Sequence, residues 1–267
     1  MPELPEVELT RRRLEQNVVG KGIERVEVRT PKLRLPIPRE LATVLPGRTI
    51  RSVGRRGKCL LFDCDAGWLI IHLGMTGFLR FLPDPSPPGK HDHLDVVLVD
   101  GGVLRFHDPR KFGTVVWTTD DPFMHPLLAG IGPEPLTPAF DGAYLFRMSR
   151  ARRVAVKLLI MNATMVAGVG NIYANEALFR AGIRPDRPSC SLTQEECDRL
   201  VHFIREVLSE SIEKGSTYRV AEATVAYHPL EFAVYGRGKG NCTRCNGALE
   251  ETRLGNRSTV FCPRCQQ

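Results

Sequence analysis

The chain opens on an amphipathic pattern. Leu4, Val7, Leu14 and Val18 fall on one helical face and Gly20 suits the stop, so a helix is expected almost from the first residue. Pro5 is tolerated in a first turn, and Glu3 and Glu6 complement the positive end of a helix. The period then shortens to that of strands. Ile23 to Val28, Thr49 to Val53, Cys59 to Asp63 and Trp68 to Leu73 are short apolar or alternating runs, followed by Phe78 to Phe81, Leu94 to Val99, Val103 to His107 and Thr114 to Thr118. Gly or Pro clusters separate most of them, and Asp100-Gly101-Gly102 reads as a hairpin turn. Such a series of short strands predicts an antiparallel sandwich or barrel.

Gly130 to Pro138 has the composition of a linker, and beyond it the pattern is helical. Helices are expected over Tyr144 to Met148, Arg152 to Met161, Ile172 to Ala181 and Thr193 to Lys214. In the last of these, Leu200, Phe203, Ile204, Val207, Leu208 and Ser211 form the apolar stripe, Thr193 and Glu196 a capping box, and Gly215 the stop. Tyr218 to Tyr227 is rich in alanine and carries no breaker, so it reads as further helix rather than a mobile lid. The chain thus divides into a β half (1–132), a helical part (133–236) and a cysteine-rich tail (237–267): a multidomain α+β protein with an N-terminal antiparallel β-sandwich and flanking helices.

Length and composition narrow the class. A chain of 267 residues, 42% hydrophobic and 25% charged, can bury a real core. No apolar run approaches the ~18 residues of a membrane span, which argues against a membrane partner. The acidic start is unlike a signal peptide, and a cytoplasmic location is expected. The net charge of +7 points to a polyanionic partner, nucleic acid before anionic membrane.

The strongest local chemistry lies in the tail. Cys242-x2-Cys245-x16-Cys262-x2-Cys265 has the spacing of a tetrathiolate zinc site, ranked above an iron–sulfur site or disulfides. No ligand position is left for water, so the metal is expected to be structural. The tail also carries six basic residues against Glu250 and Glu251, side chains that can reach phosphates. Cys59, Cys64, Cys190 and Cys197 lack any such spacing and are expected to be buried or neutral.

At the other end, removal of Met1 would leave Pro2 with a secondary amine able to attack an electrophilic carbon and form an iminium, with Glu3 beside it as a general acid or base. The helix end favours the free amine and Glu3 opposes that shift. Read locally, the same residues simply cap a helix. Gly168-Val169-Gly170-Asn171 puts a glycine turn before a helix, a phosphate-binding arrangement and equally a plain helix–turn–helix. Arg147, Arg150, Arg152, Arg153 and Lys157 lie upstream as a basic face. His72 to Gly77 and Asp108 to Gly113 are two turns carrying Met75, Arg110 and Phe112, and apolar tips beside an arginine suit insertion into a base stack.

Together these segments resemble bacterial formamidopyrimidine-DNA glycosylases across the whole chain. The likeness extends through Arg55 to Lys58, Lys90-His91-Asp92-His93, Gly132 to Leu136, Gly168 to Glu176, Val234 to Arg237 and the CxxC pairs, and Leu4 matches this family rather than its endonuclease-VIII relatives. The resemblance implies a helix–two-turn–helix, one structural Zn2+ in the four-cysteine finger, and a DNA repair enzyme acting as a monomer. Its substrates would be double-stranded DNA with 8-oxoguanine, formamidopyrimidines or abasic sites. Pro2 would form a Schiff base at C1′, Glu3 would move protons, and Lys58 would donate a proton during β,δ-elimination. Lys157 would lie near the lesion. Met75, Arg110 and Phe112 would fill the gap left by the flipped base, with Asn171, Arg257, His72, His91 and Tyr235 on the DNA.

Asn162-Ala163 departs from the usual Asp followed by Gln or Asn, and the Ser216 to Tyr235 stretch is short, with no glycine between Gly215 and Gly236. Without a long hinge, further limited by Pro229, weaker preference for 8-oxoguanine is expected. The rival readings are an endonuclease-VIII-like enzyme for oxidised pyrimidines and a noncatalytic nucleic-acid-binding protein, which retention of Pro2, Glu3 and Lys58 opposes.

Overall fold

The computed structural model describes residues 1–215, 218–221, 224–227 and 232–267. Helix α1 (Leu4–Val18) starts where the apolar stripe begins because two glutamates close its first turn in a capping box. Glu3 is the N-cap, and the Glu6 carboxylate accepts from the Glu3 N–H at 2.7 Å. Leu4, Val7, Leu14 and Val18 are fully buried.

The next elements are β1 (Ile23–Val28), the short α2 (Leu41–Val44), β2 (Ser52–Arg56), β3 (Cys59–Asp63), β4 (Trp68–His72) and β5 (Phe78–Leu82), then β6 (Asp92–Leu98), β7 (Val103–His107) and β8 (Thr114–Thr118). They pair antiparallel as two four-stranded sheets, β1-β6-β7-β5 and β2-β3-β4-β8. Leu60, Phe62 and Ile71 from one sheet and Leu94, Val96 and Phe106 from the other share a core with Val7 and Leu14 of α1. Glu8 on α1 accepts from Arg55 Nε of β2 at 3.0 Å.

Strand β6 is buried on both faces, which explains why its pattern does not alternate cleanly. The face away from the core carries Asp95, paired in register with Arg105 of β7. Arg105 grips Asp95 through two bonds of 2.9 and 2.7 Å, Arg29 adds a third at 2.8 Å, and Arg105 also donates to the Ser86 carbonyl of the loop that precedes β6.

The second unit starts at Gly130, within the linker composition. It contains α3 (Gly142–Ser149), α4 (Val156–Met161), α5 (Asn171–Ala181) and α6 (Gln194–Glu213), and in the tail the hairpin β11 (Glu250–Leu254) and β12 (Arg257–Phe261). The two pairing partners β9 (Tyr218–Ala221) and β10 (Thr224–Tyr227) group with the N-terminal unit. The Thr193–Glu196 capping box forms, and Gly215, at φ +84°, follows the end of α6. The finger is not an independent body: Phe179 of α5 joins Val234, Cys242, Leu249, Val260 and Cys262 in one cluster.

Three expectations are corrected. Within the stretch expected as helix, Tyr218–Ala221 and Thr224–Tyr227 form the antiparallel pair β9–β10 instead: Tyr218, Val220, Thr224, Val225 and Tyr227 are aromatic or β-branched, and that preference outweighs the alanines. The expected lack of a lid therefore loses its helical premise, and the hinge argument at Pro229 lies outside the described residues. The helix expected from Arg152 starts only at Val156, because 152–155 is bonded to 188–190, with Ser189 N–H on the Val154 carbonyl and Cys190 N–H on the Arg152 carbonyl. The strand expected from Thr49 starts at Ser52, because Thr49 lies bridged against Gly22 and the Ile50 N–H donates to the Lys21 carbonyl.

Replacing Asp95 by alanine should leave Arg105 buried without its main partner and lower stability by about 3–5 kcal/mol. Denaturant unfolding followed by circular dichroism measures this; a loss below 1 kcal/mol would show that the Arg29–Asp95–Arg105 cluster contributes little.

Candidate active site and nucleic-acid interface

The residues expected to react in the N-terminal unit sit on the ends of regular elements. Pro2 is buried and Glu3 is 2% exposed, both fixed by the immediate onset of α1. With Met1 in place the Pro2 nitrogen is an amide, so the amine chemistry depends on its removal. Lys58 follows Gly57 (φ +55°) in the tight β2–β3 turn, where Arg56 pairs with Cys59. Cys59 in turn pairs with His72, so Lys58 and His72 share one end of the sheet.

Burial pushes the His72 imidazole down to about 4, helped by the Lys58 and Arg34 cations. The neutral ring accepts the Gly74 N–H on Nδ1 at 3.1 Å, which leaves the proton on Nε2. His72 is thus a neutral donor suited to a phosphate oxygen, not a cation. The same burial effect raises the Cys59 and Cys64 thiols to about 12 and Cys197 to about 11, so these three are buried and neutral as expected, whereas Cys190 is only partly buried.

Met75 and the pair Arg110 and Phe112 occupy two adjacent turns, after β4 and β7. Phe112 is 41% exposed and the Arg110 guanidinium lies 4.8 Å from its ring centroid. Gly74 (φ +72°) lies so close to the other turn that a Cβ would come within 2.5 Å of the Gly113 nitrogen. His91, partly exposed, accepts the Asp108 N–H on its carbonyl at 3.0 Å and presents its ring edge-on to His107 at 5.8 Å.

The second unit holds the other expected contacts. Asn171 is the first residue of α5, after the Gly168 (φ +78°) turn. One turn on, Asn175 donates to the Asn171 carbonyl and accepts the Val260 N–H of β12 at 3.0 Å. Arg257, exposed, heads that strand. Lys157 is fully buried, and its ammonium donates to the Ser258 carbonyl at 2.8 Å and Thr259 Oγ1 at 2.7 Å. The residue therefore fastens α4 to the strand bearing Arg257. Tyr235 is placed by Glu176, whose buried carboxylate accepts the consecutive N–H groups of Ala233, Val234 and Tyr235 at 2.9, 3.0 and 2.8 Å.

The four tail cysteines converge. Their sulfurs lie within 4.8 Å of one another, with Cys245–Cys262 at 3.6 Å and Cys242–Cys265 at 3.8 Å. A tetrahedral site with Zn–S near 2.3 Å needs sulfurs about 3.8 Å apart, so the set fits one structural Zn2+.

Asn175, Glu176 and Asp108 have tasks that their sequence neighbourhoods alone do not reveal. The available signal was a polar residue inside an apolar segment: Asn175 and Glu176 interrupt the buried run of α5 from Ile172 to Phe179.

An N-terminal sandwich led by Pro-Glu, a helical unit and a four-cysteine finger define a class of DNA glycosylases. Family models match in that order: the formamidopyrimidine-DNA glycosylase N-terminal domain over 1–115, its H2TH domain over 131–222, and the zinc finger found in FPG and IleRS over 241–267. The formamidopyrimidine-DNA glycosylase of Geobacter metallireducens is 76% identical over the full length of both chains. A Lactococcus lactis FPG mutant in complex with Fapy-dG containing DNA has a TM-score of 0.92 at 36% identity, covering 100% of both chains. The Lactococcus lactis Fpg with an abasic site containing DNA gives 0.91 at 36%, covering 99% of both. The chain belongs to the formamidopyrimidine-DNA glycosylase family.

Cys262→Ser should release the metal and abolish duplex binding, while Arg257→Ala should weaken binding to all sequences and reduce the salt slope by about one. Filter binding across salt concentrations tests both, and full binding by a metal-free variant would contradict the assignment.

His72 also makes an acid-sensitivity signature. Its folded pKa lies below the ordinary 6.5, so between pH 6.5 and about 4 the unfolded chain binds the extra proton and stability falls with pH. His72→Gln should lessen the drop between pH 7 and pH 5 in urea unfolding; an unchanged drop would mean that His72 titrates alike in both states.

Proposed function

We propose that this chain excises oxidised purines, including 8-oxoguanine and formamidopyrimidines, from double-stranded DNA and then cleaves the strand at the abasic site. The observation that carries this reading is the buried Pro2–Glu3 pair locked at the start of α1, in a chain of the glycosylase family. Once Met1 is removed, the Pro2 amine attacks C1′ of the damaged nucleotide. The N–C1′ bond forms, the glycosidic bond breaks, and the base leaves with a proton. Ring opening converts the adduct to an iminium, with Glu3 moving protons at the sugar. Loss of a C2′ proton then expels the 3′ phosphate, and a second elimination expels the 5′ phosphate, with Lys58 as proton donor.

Met75, Arg110 and Phe112 occupy the gap left when the base is extruded, a step that costs a few kcal/mol. His72, His91, Asn171, Tyr235 and Arg257 hold the DNA. Lys157 acts through the strand that carries Arg257, to which its ammonium is bonded. The functional parts are the sandwich of 1–132, the helical part of 133–236 and the finger of 237–267. No helix among the described residues is long and apolar enough to cross a membrane. The enzyme works as a monomer on DNA of the bacterial nucleoid.

Borohydride reduction during turnover should trap a covalent complex whose DNA remnant maps by mass spectrometry to the N-terminal peptide at Pro2. Attachment at Lys58 or Lys157 would overturn the assignment.

A further inference from the structure

Asp108 occupies a singular place in the N-terminal unit. It is 0% exposed, yet it stands at the head of the turn that carries Arg110 and Phe112. One carboxylate oxygen accepts from Gly113 N–H at 2.7 Å and the other from Arg110 N–H at 3.3 Å, so the two ends of this turn are tied to a single group. The second oxygen also accepts from Thr76 Oγ1 at 3.0 Å, and Thr76 belongs to the other turn, next to Met75. The backbone of Asp108 is held as well: its N–H donates to the His91 carbonyl at 3.0 Å and its carbonyl accepts from His93 Nε2 at 2.8 Å.

Two further features make the joint stiff. Lys111, between Arg110 and Phe112, adopts φ +56°, a conformation a lysine keeps only where its surroundings enforce it, and its ammonium donates to Thr30 Oγ1 at 3.2 Å. Gly74 lies against the Phe112–Gly113 peptide with no room for a side chain. The turns therefore touch through backbone and are bonded through one buried acid.

We infer that Asp108 is a positioning residue that joins the Met75 turn and the Arg110–Phe112 turn into one rigid wedge, with the Thr76 hydroxyl as the link between them. The inference rests on the proposed glycosylase reading, in which the wedge enters the base stack. Neither Asp108 nor Thr76 is required to touch DNA. A wedge that enters as one body meets the stack with its shape already set, whereas two independent turns would each have to be ordered on binding.

Thr76→Val keeps the shape of the side chain and removes the link. It should slow single-turnover excision of 8-oxoguanine from paired duplex by roughly ten- to a hundredfold, while cleavage at a preformed abasic site stays within about twofold. The Thr76→Val, Phe112→Ala double variant should excise no more than about twofold slower than Phe112→Ala alone, because both changes disable the same body. Asp108→Asn, which turns an acceptor into a donor facing other donors, should lose at least as much as Thr76→Val; if it fails to fold, Thr76→Val carries the test. Multiplying losses in the double variant, or equal losses on the two substrates, would overturn the inference. A stacking readout separates this from the glycosylase reading: 2-aminopurine beside a stable abasic analogue should brighten when the wild type binds, and less so with Thr76→Val. Brightening that depends on Thr76 without any excision would sink the glycosylase reading and keep the wedge. A wild-type rise that Thr76→Val leaves intact, or no rise at all, would sink the wedge.

Discussion

The atom proposed to do the chemistry is the first nitrogen of the mature chain, and a chain end is ordinarily the least ordered part of a protein. Position must therefore be imposed within a few residues. The reciprocal Glu3–Glu6 cap does this by starting α1 at Leu4, and the buried stripe from Leu4 to Val18 fixes the helix in the sandwich core. The Glu8–Arg55 ion pair then ties the helix to β2, the strand that runs into the Lys58 turn. Capping and the proposed proton transfer are not competing accounts of Glu3: the residue that closes the first turn also stands beside Pro2.

Buried acids recur as fasteners near surface segments. Asp108 gathers the donors of two turns, Glu176 gathers three consecutive amides ending at Tyr235, and Asp95 binds the guanidiniums of Arg29 and Arg105. In each case a desolvated carboxylate is stabilised by multiple donors, so moving any one donor leaves a costly charge behind. Such arrangements tie backbone segments together through polar groups rather than through apolar packing.

Much of the fold was legible because its periodicities are clean. Val103 to His107 and Thr114 to Thr118 were bounded by their turns, and Cys59 to Asp63 by the Gly57 and Gly67 breaks. Boundaries shift where backbone partners lie far away in sequence: Thr49 and Ile50 answer to Gly22 and Lys21, and Arg152 and Val154 to the 188–190 segment. Tyr218–Ala221 and Thr224–Tyr227 are hard to read because alanines, which favour helix, alternate there with β-branched and aromatic residues, which favour strand. The site was legible where spacing itself encodes geometry, as in the four cysteines. It was opaque where a residue's task depends on a partner about a hundred positions away, as with Lys157 and Thr259.

That last contact joins the metal to the interior of the helical unit. The Lys157 ammonium is wholly enclosed and bonded to two residues of the finger's second strand, while Asn175 takes the amide of a third. The second strand of the finger is thus bonded to side chains of both α4 and α5. A newly made chain short of zinc would not simply lack a DNA-binding appendage. Where the finger loses its shape, the Lys157 ammonium also loses two of the oxygens to which it donates inside the helical unit.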